Sequence, residues 1–555
     1  MMPYALRRAS AGAGADDRVL VVPLCAAALV AYLLMAVPSL WNARTGANQF
    51  QDDAFYYLVP AQHFLQQGRF TFDGVTPTYG FHPLWMAVTL AAGAVVGPHA
   101  APEHFVFALN LVEKAVQALA LALCLAWFVR ERTRDAAAAG YLGIALLLLF
   151  PLYSIFHQGM ETTLAVLLLA AAIHALRTDR LTGLGVLLAL LFLCRLDSGF
   201  FVGLPLAAYA MWSRRAMSGR LWAIVPIAVC MVAVPLAYLV MTGHPVPISG
   251  AIKSSFPAVT WHGSYFVEPL NVAQMYGWRT LVHGLNPWLC AALLIAGATC
   301  TAVSRFDRTT RNDIGAVGVL AVALIANLVL FQKWEKSVDP RYFALPMAAC
   351  AYVFMAGLAG ASRRLRRPRV LAHLPVLAAA VAFAAEAIVF ASRFPTAMHA
   401  TDDTQQVYLE LSRVLPADAV IAGTDVGALA FWTGRRVVNL DGVMNDFEYQ
   451  KTLRDGRLAE YLRRNGVTHI GTALWDAEQS YTARPTEPMY RHQIDPAATH
   501  GAPYQCHWYY VHSYVYRVDS DRICLPAASE VFRRAMGRMG VGYAAYVVYA
   551  LRGDS

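Results

Sequence analysis

Two adjacent carboxylates, Asp52 and Asp53, open a polar and aromatic stretch running from Gln51 to Trp85. Side by side at a helix start they point about 100° apart. One can face a substrate atom while the other orients it, caps a helix over 54–67 or holds a metal. Phe55, Tyr56 and Tyr57 follow at once, and such rings suit a sugar face or a membrane interface. His82 precedes Pro83 and reads either as a helix-start residue or as a contact to a phosphate or hydroxyl. Glu161, in HQGMETTL, begins an apolar helix, where the dipole alone favours an acid and a substrate role is equally open. His157 stands beside it. Arg195 and Asp197 interrupt the run LLFLCRLDSGFF, and charges so placed are paired with each other or functional. Lys253 follows Pro247-Ile248-Ser249-Gly250, and Lys333, Lys336 and Arg341 follow a later apolar run. Such cations suit a phosphate or snorkel at an interface. Glu113 and Lys114 lie inside an apolar run and read as a mutual pair.

The scaffold that must position these residues is a membrane one. Of 555 residues 57% are hydrophobic and 15% charged, with a mean hydropathy of +0.43; that is too apolar for a soluble globular chain of this size. The net charge of +9 is inflated by topology-setting arginines, and no basic stripe interleaved with aromatics points to nucleic acid. Residues 19–40 read as a retained first transmembrane helix rather than a signal peptide. Further spans are expected near 105–129, 138–154, 162–176, 181–195, 199–213, 221–241, 285–304, 313–331, 342–360 and 371–391, about eleven with the first. Arginine clusters at 130–134, 177–180, 214–220, 305–311 and 363–369 place those loops, and the N-terminus, on the cytoplasmic side. Residues 83–97 then read as a helix on the outer face. That face gathers 41–104, 155–161, the region of Arg195 and Asp197, 242–284 and 332–341.

Residues 1–393 thus form the expected membrane domain, and 394–555 a separate water-soluble α/β domain. In the latter, 403–415 has helical periodicity, 461–466 reads as a helix ending at glycine, and 419–424, 435–442, 467–475 and 543–552 read as strands. The nine cysteines include no CxxC; Cys506 and Cys524 can pair if the tail meets an oxidising compartment. The fold class is mainly α: a polytopic helical bundle with a C-terminal extracytoplasmic α/β domain. The chain has no nucleotide-binding glycine loop and no HExxH.

The order QDDAFYYLVPAQHFLQQG, FTFDG, YGFHPLW, HQGMETTL, RLDSG, GHPVPISGAIKSS, DPRYFALP and GRRVVNLDGVMND resembles the GT-C superfamily of integral-membrane glycosyltransferases over most of the chain. It is similar to a bacterial branch near the cell-wall arabinofuranosyltransferases, although YGFHPLW departs from that branch's form and leaves the sugar open. The resemblance implies a polyprenyl-phosphate-sugar donor, possible transfer of a pentofuranose, and a glycan, lipid or protein acceptor at the outer face of a bacterial cytoplasmic membrane. It implies single displacement with inversion: Asp52 as base, Asp53 orienting or sharing that role, and Lys253, Arg341, Arg195 and His82 on the donor phosphate. Tyr56, Tyr57, His157, Glu161 and Trp85 would bind substrate. No cofactor is expected, and a divalent metal is not favoured. The rival readings are a lipid-linked sugar transporter or flippase and a non-catalytic envelope assembly protein.

Overall fold

The computed structural model describes residues 52–131, 135–149, 159–213, 220–255, 287–330, 340–364, 403–455, 457–474 and strand segments between 481 and 551, with scattered positions between 22 and 50. His157, Lys333, Lys336 and the span expected at 371–391 lie outside the described residues.

The polar stretch forms two helices, α1 (Asp52–Gln67) and α2 (Pro83–Val96). Gly68, at φ +73°, ends α1 and returns its N–H to Phe64. A tight turn links the helices: Asp73 Oδ1 accepts the N–H groups of Val75 and Thr76, with Gly74 at φ +78°. Pro83 starts α2, where a missing N–H costs nothing.

The long apolar runs are helices: α3 (Pro102–Glu131), α4 (Ala139–Leu149), α5 (Thr162–Arg177), α6 (Leu181–Cys194), α7 (Leu204–Ser213), α8 (Arg220–Thr242), α9 (Ile248–Ser255), α10 (Pro287–Val303), α11 (Arg308–Leu330) and α12 (Ala344–Arg364). Among the described residues, four helical stretches, Pro102–Glu131, Leu221–Thr242, Arg308–Asn327 and Arg341–Arg364, are long and apolar enough to cross a membrane, and five apolar helices are shorter. Their core is leucine, alanine and aromatic side chains, with Tyr141 and Tyr352 fully buried against each other. The α10–α12 crossing is close because a Cβ on Gly297 would strike the Phe354 backbone and one on Gly357 would strike the Gly297 carbonyl. Many side chains of α8, among them Val232 and Val240, stay exposed, as expected of a lipid-facing surface.

The C-terminal part holds α13 (Asp403–Val414), α14 (Gly427–Thr433), α15 (Phe447–Arg454) and α16 (Leu458–Arg464). Its main sheet has five strands in the order β2-β1-β3-β9-β8, with β1 (Val420–Gly423), β2 (Arg436–Asn439), β3 (His469–Leu474), β8 (Glu530–Ala535) and β9 (Ala545–Ala550). β1 runs parallel to β2 and β3; β9 is antiparallel to β3 and β8. A second sheet, β4-β6-β7-β5, with β4 (Tyr481–Ala483) and β5 (His492–Gln493), comes from 481–526, where sequence alone assigns no element. In it Cys506 of β6 (Tyr504–Tyr509) sits directly opposite Cys524 of β7 (Asp521–Pro526) in backbone register.

One apolar core joins the two ends of the chain. Phe55 of α1 packs on Phe431 and Trp432 of α14, with ring centroids 5.3 and 6.2 Å apart. The same cluster takes in Trp85, Leu109, Ile252, Leu411 and Tyr546. The start of α1 is therefore clamped between the helical bundle and the C-terminal sheet.

Candidate active site

The two acids at the start of α1 part company. Asp52 accepts hydrogen bonds from Gly427 N (2.9 Å) and Ala428 N (2.8 Å), the first two residues of α14. It closes the free amide end of that helix, as a capping carboxylate does. Gly427 lies so close to the Asp52 backbone carbonyl that a Cβ would strike it. Burial pushes the Asp52 carboxyl up to about 7, against the two backbone hydrogen bonds, which favour its ionised form; the neighbouring Asp53 and Asp441 add to the rise. Asp53 turns the other way, lines a cavity of about 390 Å³ and pairs with Arg341.

That cavity gathers Asp53, His82, Glu161, Arg195, Asp197 and Arg341. Its lining also includes the apolar side chains of Phe200, Val234, Pro235 and Val246. Arg195 donates from Nε and Nη2 to the two oxygens of Asp197 at 3.3 and 3.2 Å. The Tyr342 ring lies between the guanidiniums, 5.1 Å from Arg195 and 5.2 Å from Arg341. Two cations thus face three carboxylates in one partly apolar recess.

Glu161 is placed by its surroundings. Tyr57 donates to Oε2 at 3.3 Å, and His82 Nε2 lies 3.8 Å from Oε1. The Leu196 N–H donates to His82 Nδ1 at 3.3 Å, so the neutral ring carries its hydrogen on Nε2, facing Glu161. Two residues upstream, Gly159 at φ +71° gives its N–H to Glu113 and receives the Trp85 indole N–H at 3.0 Å. Glu113 and Lys114 pair at 3.7 Å, as the sequence suggests.

The C-terminal part supplies the remaining wall through Val443 and Met444. Their loop is held by Asp441, which accepts from Tyr56 OH at 2.8 Å and from Val443 N at 3.0 Å. Asn439 donates to the same Tyr56 oxygen at 3.1 Å. Burial raises the Asp441 carboxyl above its ordinary range.

Eight residues singled out from sequence therefore line one cavity: Asp53, Tyr56, Tyr57, His82, Glu161, Arg195, Asp197 and Arg341. Trp85 does not join them; it is 0% exposed and its polar edge is used up on Gly159, which corrects its assignment to substrate. Asp52 is turned to the α14 amides rather than into the cavity. Lys253 lies on α9, whose Ser249 and Gly250 reach the cavity. Tyr238, Asn327, Tyr342, Val443 and Met444 are lining residues that sequence reasoning did not single out. Among the described residues, no three His, Cys, Asp or Glu side chains come together as metal ligands.

No protein-family model and no curated protein matches the chain. Among solved structures it is similar to ArnT from Cupriavidus metallidurans bound to undecaprenyl phosphate, at 12% identity and a TM-score of 0.48 over 80% of this chain and 92% of the other. The apo state of the same ArnT gives 14% and 0.47 over 82% and 93%. An Archaeoglobus fulgidus oligosaccharyltransferase tethered with an acceptor peptide gives 14% and 0.49 over 81% and 69%. Likeness of this degree assigns no residue a role.

Proposed function

We propose that this chain is an integral-membrane glycosyltransferase of the GT-C type. In this reading it moves a sugar from a polyprenyl-phosphate donor to a hydroxyl of an envelope glycan, lipid or protein. The observation that carries it is the composition of this cavity: a carboxylate, Asp53, beside two arginines, with Phe200, Val234, Pro235 and Val246 among its apolar lining residues. A lipid-linked sugar phosphate asks for this combination. Guanidiniums match phosphate geometry, the apolar lining takes the first isoprene units, and the carboxylate takes a proton.

The reaction is a single displacement. The acceptor oxygen attacks the anomeric carbon and its proton passes to Asp53. The bond from that carbon to the phosphate oxygen breaks, and polyprenyl phosphate leaves with the electron pair. Arg341 and Arg195 stabilise the charge that develops on the leaving group. Attack opposite the leaving group inverts the anomeric centre. Glu161, held by Tyr57 and His82, binds sugar hydroxyls. Asp52 fixes the start of α1 against α14 and so aims Asp53, which moves the base from the first acid to the second. The site faces the outer side of a bacterial cytoplasmic membrane, and a pentofuranose is the first sugar to try.

The test is release of undecaprenyl phosphate from a panel of undecaprenyl-phospho-sugars by the purified full chain in proteoliposomes with envelope extract as acceptor. Wild type is expected to turn over one donor, and Asp53→Asn to lose about 10²- to 10⁴-fold in kcat. Undiminished turnover by Asp53→Asn would overturn this mechanism.

A further inference from the structure

Within the cavity Asp53 and Arg341, 288 residues apart, form an ion pair. The Arg341 side chain is 4% exposed, and that of Asp53 is 28% exposed on the cavity side. This geometry sets two roles against each other. A guanidinium beside a carboxylate favours its ionised form and weakens it as a proton acceptor. A cation already neutralised by a carboxylate is likewise less available to a phosphate.

The two arginines differ. Arg195 is locked in a two-point pair with Asp197, two residues along the same turn. Arg341 reaches its acid from a different element, the short 3₁₀ turn Pro340–Phe343 ahead of α12. The Tyr342 ring stands beside both, 5.1 Å from the Arg195 guanidinium and 5.2 Å from that of Arg341. The other carboxylates of the recess, Glu161 and Asp197, are held by Tyr57 with His82 and by Arg195. Asp53 is the acid paired with the cation that a phosphate would take.

We propose that Asp53 and the donor phosphate compete for Arg341: the arriving phosphate exchanges into the pair and releases the Asp53 carboxylate for the acceptor hydroxyl. This rests on the polyprenyl-phosphate reading above and adds an order to it. The base is masked while the cavity is empty and exposed once the donor is seated. Donor binds first, and water entering an empty site meets a base held by Arg341.

The test is the affinity of the full-length protein, in nanodiscs, for undecaprenyl phosphate and for the uncharged alcohol undecaprenol. An internal competitor lowers apparent affinity by the fraction of time it holds the site, so its removal in Asp53→Asn or Asp53→Ser tightens undecaprenyl phosphate binding about tenfold if Arg341 is masked nine-tenths of the time. Undecaprenol binding stays unchanged in both. Arg341→Gln weakens phosphate binding, and adding Asp53→Asn to it restores nothing. If either folded Asp53 variant binds undecaprenyl phosphate no tighter than wild type, the exchange is wrong while the donor reading stands. If wild type does not prefer undecaprenyl phosphate to undecaprenol, the donor reading fails and the exchange with it.

Discussion

The Asp52 carboxylate receives the Gly427 N–H at 2.9 Å across 375 residues of sequence. The two ends of the described chain are thus joined one residue away from the acid that lines the cavity. A cap between segments so distant makes the direction of Asp53 depend on the C-terminal part.

Removing that cap has a stability cost. Asp52→Ala leaves the Gly427 and Ala428 amides without their acceptor, and the loss is about 1–2 kcal/mol, read as a lowered Tm of the purified full chain. Asp52→Asn, which keeps one acceptor oxygen, lies between. If Asp52→Ala melts like wild type, the cap does not hold the two segments together.

The same carboxylate gives stability a pH dependence. Its folded value, about 7, stands above the ordinary 3.8, so the folded state binds the proton more tightly than the unfolded one. Stability contributed by this group is therefore present at low pH and lost as pH rises from about 4 through 7. Tm of wild type should fall across that window by more than Tm of Asp52→Asn does. Parallel curves for the two proteins would show that Asp52 does not titrate there.

The ring of Trp85 gives a contrasting case. It is buried beneath the cavity and its indole N–H is spent on Gly159. Trp85→Phe leaves that carbonyl without its donor and opens space, for a loss of about 1–3 kcal/mol. Since Gly159 sets the approach to Glu161, KM for donor should rise with little change in kcat. A Trp85→Phe protein that melts like wild type would deny the residue this role.

Much of this site was legible because charge inside an apolar chain is costly and therefore informative. Arg195 broke an apolar run, Glu161 stood at the head of one, Asp53 and Arg341 lay in short polar stretches between them, and all four meet in the cavity. Asp52 and Asp53 could not be told apart, since the partner that separates them, Gly427, is an ordinary glycine 375 residues away. Trp85 misled because an aromatic near acids looks the same whether it is wet or buried. Val443 and Met444 lay within the quoted run GRRVVNLDGVMND but were not picked out in it, as two apolar residues in a loop carry no periodicity. The helices followed from apolar run length and the parallel strands from short β-branched runs. The sheet at 481–526 did not: β4 and β5 are three and two residues long, and β6 and β7 hold one β-branched residue, Ile523, between them.

Arg195 and Asp197 test whether their pair is structural. Arg195 is nearly buried while Asp197 is about a third exposed. Asp197→Ala strands a buried guanidinium, at about 3 kcal/mol, the low end for breaking a buried pair; Asp197→Asn keeps one acceptor and costs less. A Tm drop in Asp197→Ala with donor affinity retained marks the pair as scaffold. Equal Tm values for the two variants and wild type would mean that Arg195 finds another anion in the cavity.

The loop at Val443 is wedged by a glycine. Gly80 lies so close to the Val443 carbonyl that a Cβ would collide with backbone, and the Ile248 side chain closes the other side. Backbone cannot rotate away as a side chain would, so Gly80→Ala must push the loop outward and move Val443 and Met444 from the cavity wall. The expected cost is about 1–3 kcal/mol in stability, with a rise in KM for acceptor or donor as the wall shifts. Restoring space from the other side, by Ile248→Ala in the Gly80→Ala background, removes the Cγ2 that would stand 3.4 Å from the new Cβ and should recover part of the KM change. If Gly80→Ala changes neither Tm nor KM, the loop is free to move and Val443 and Met444 do not set the shape of the site.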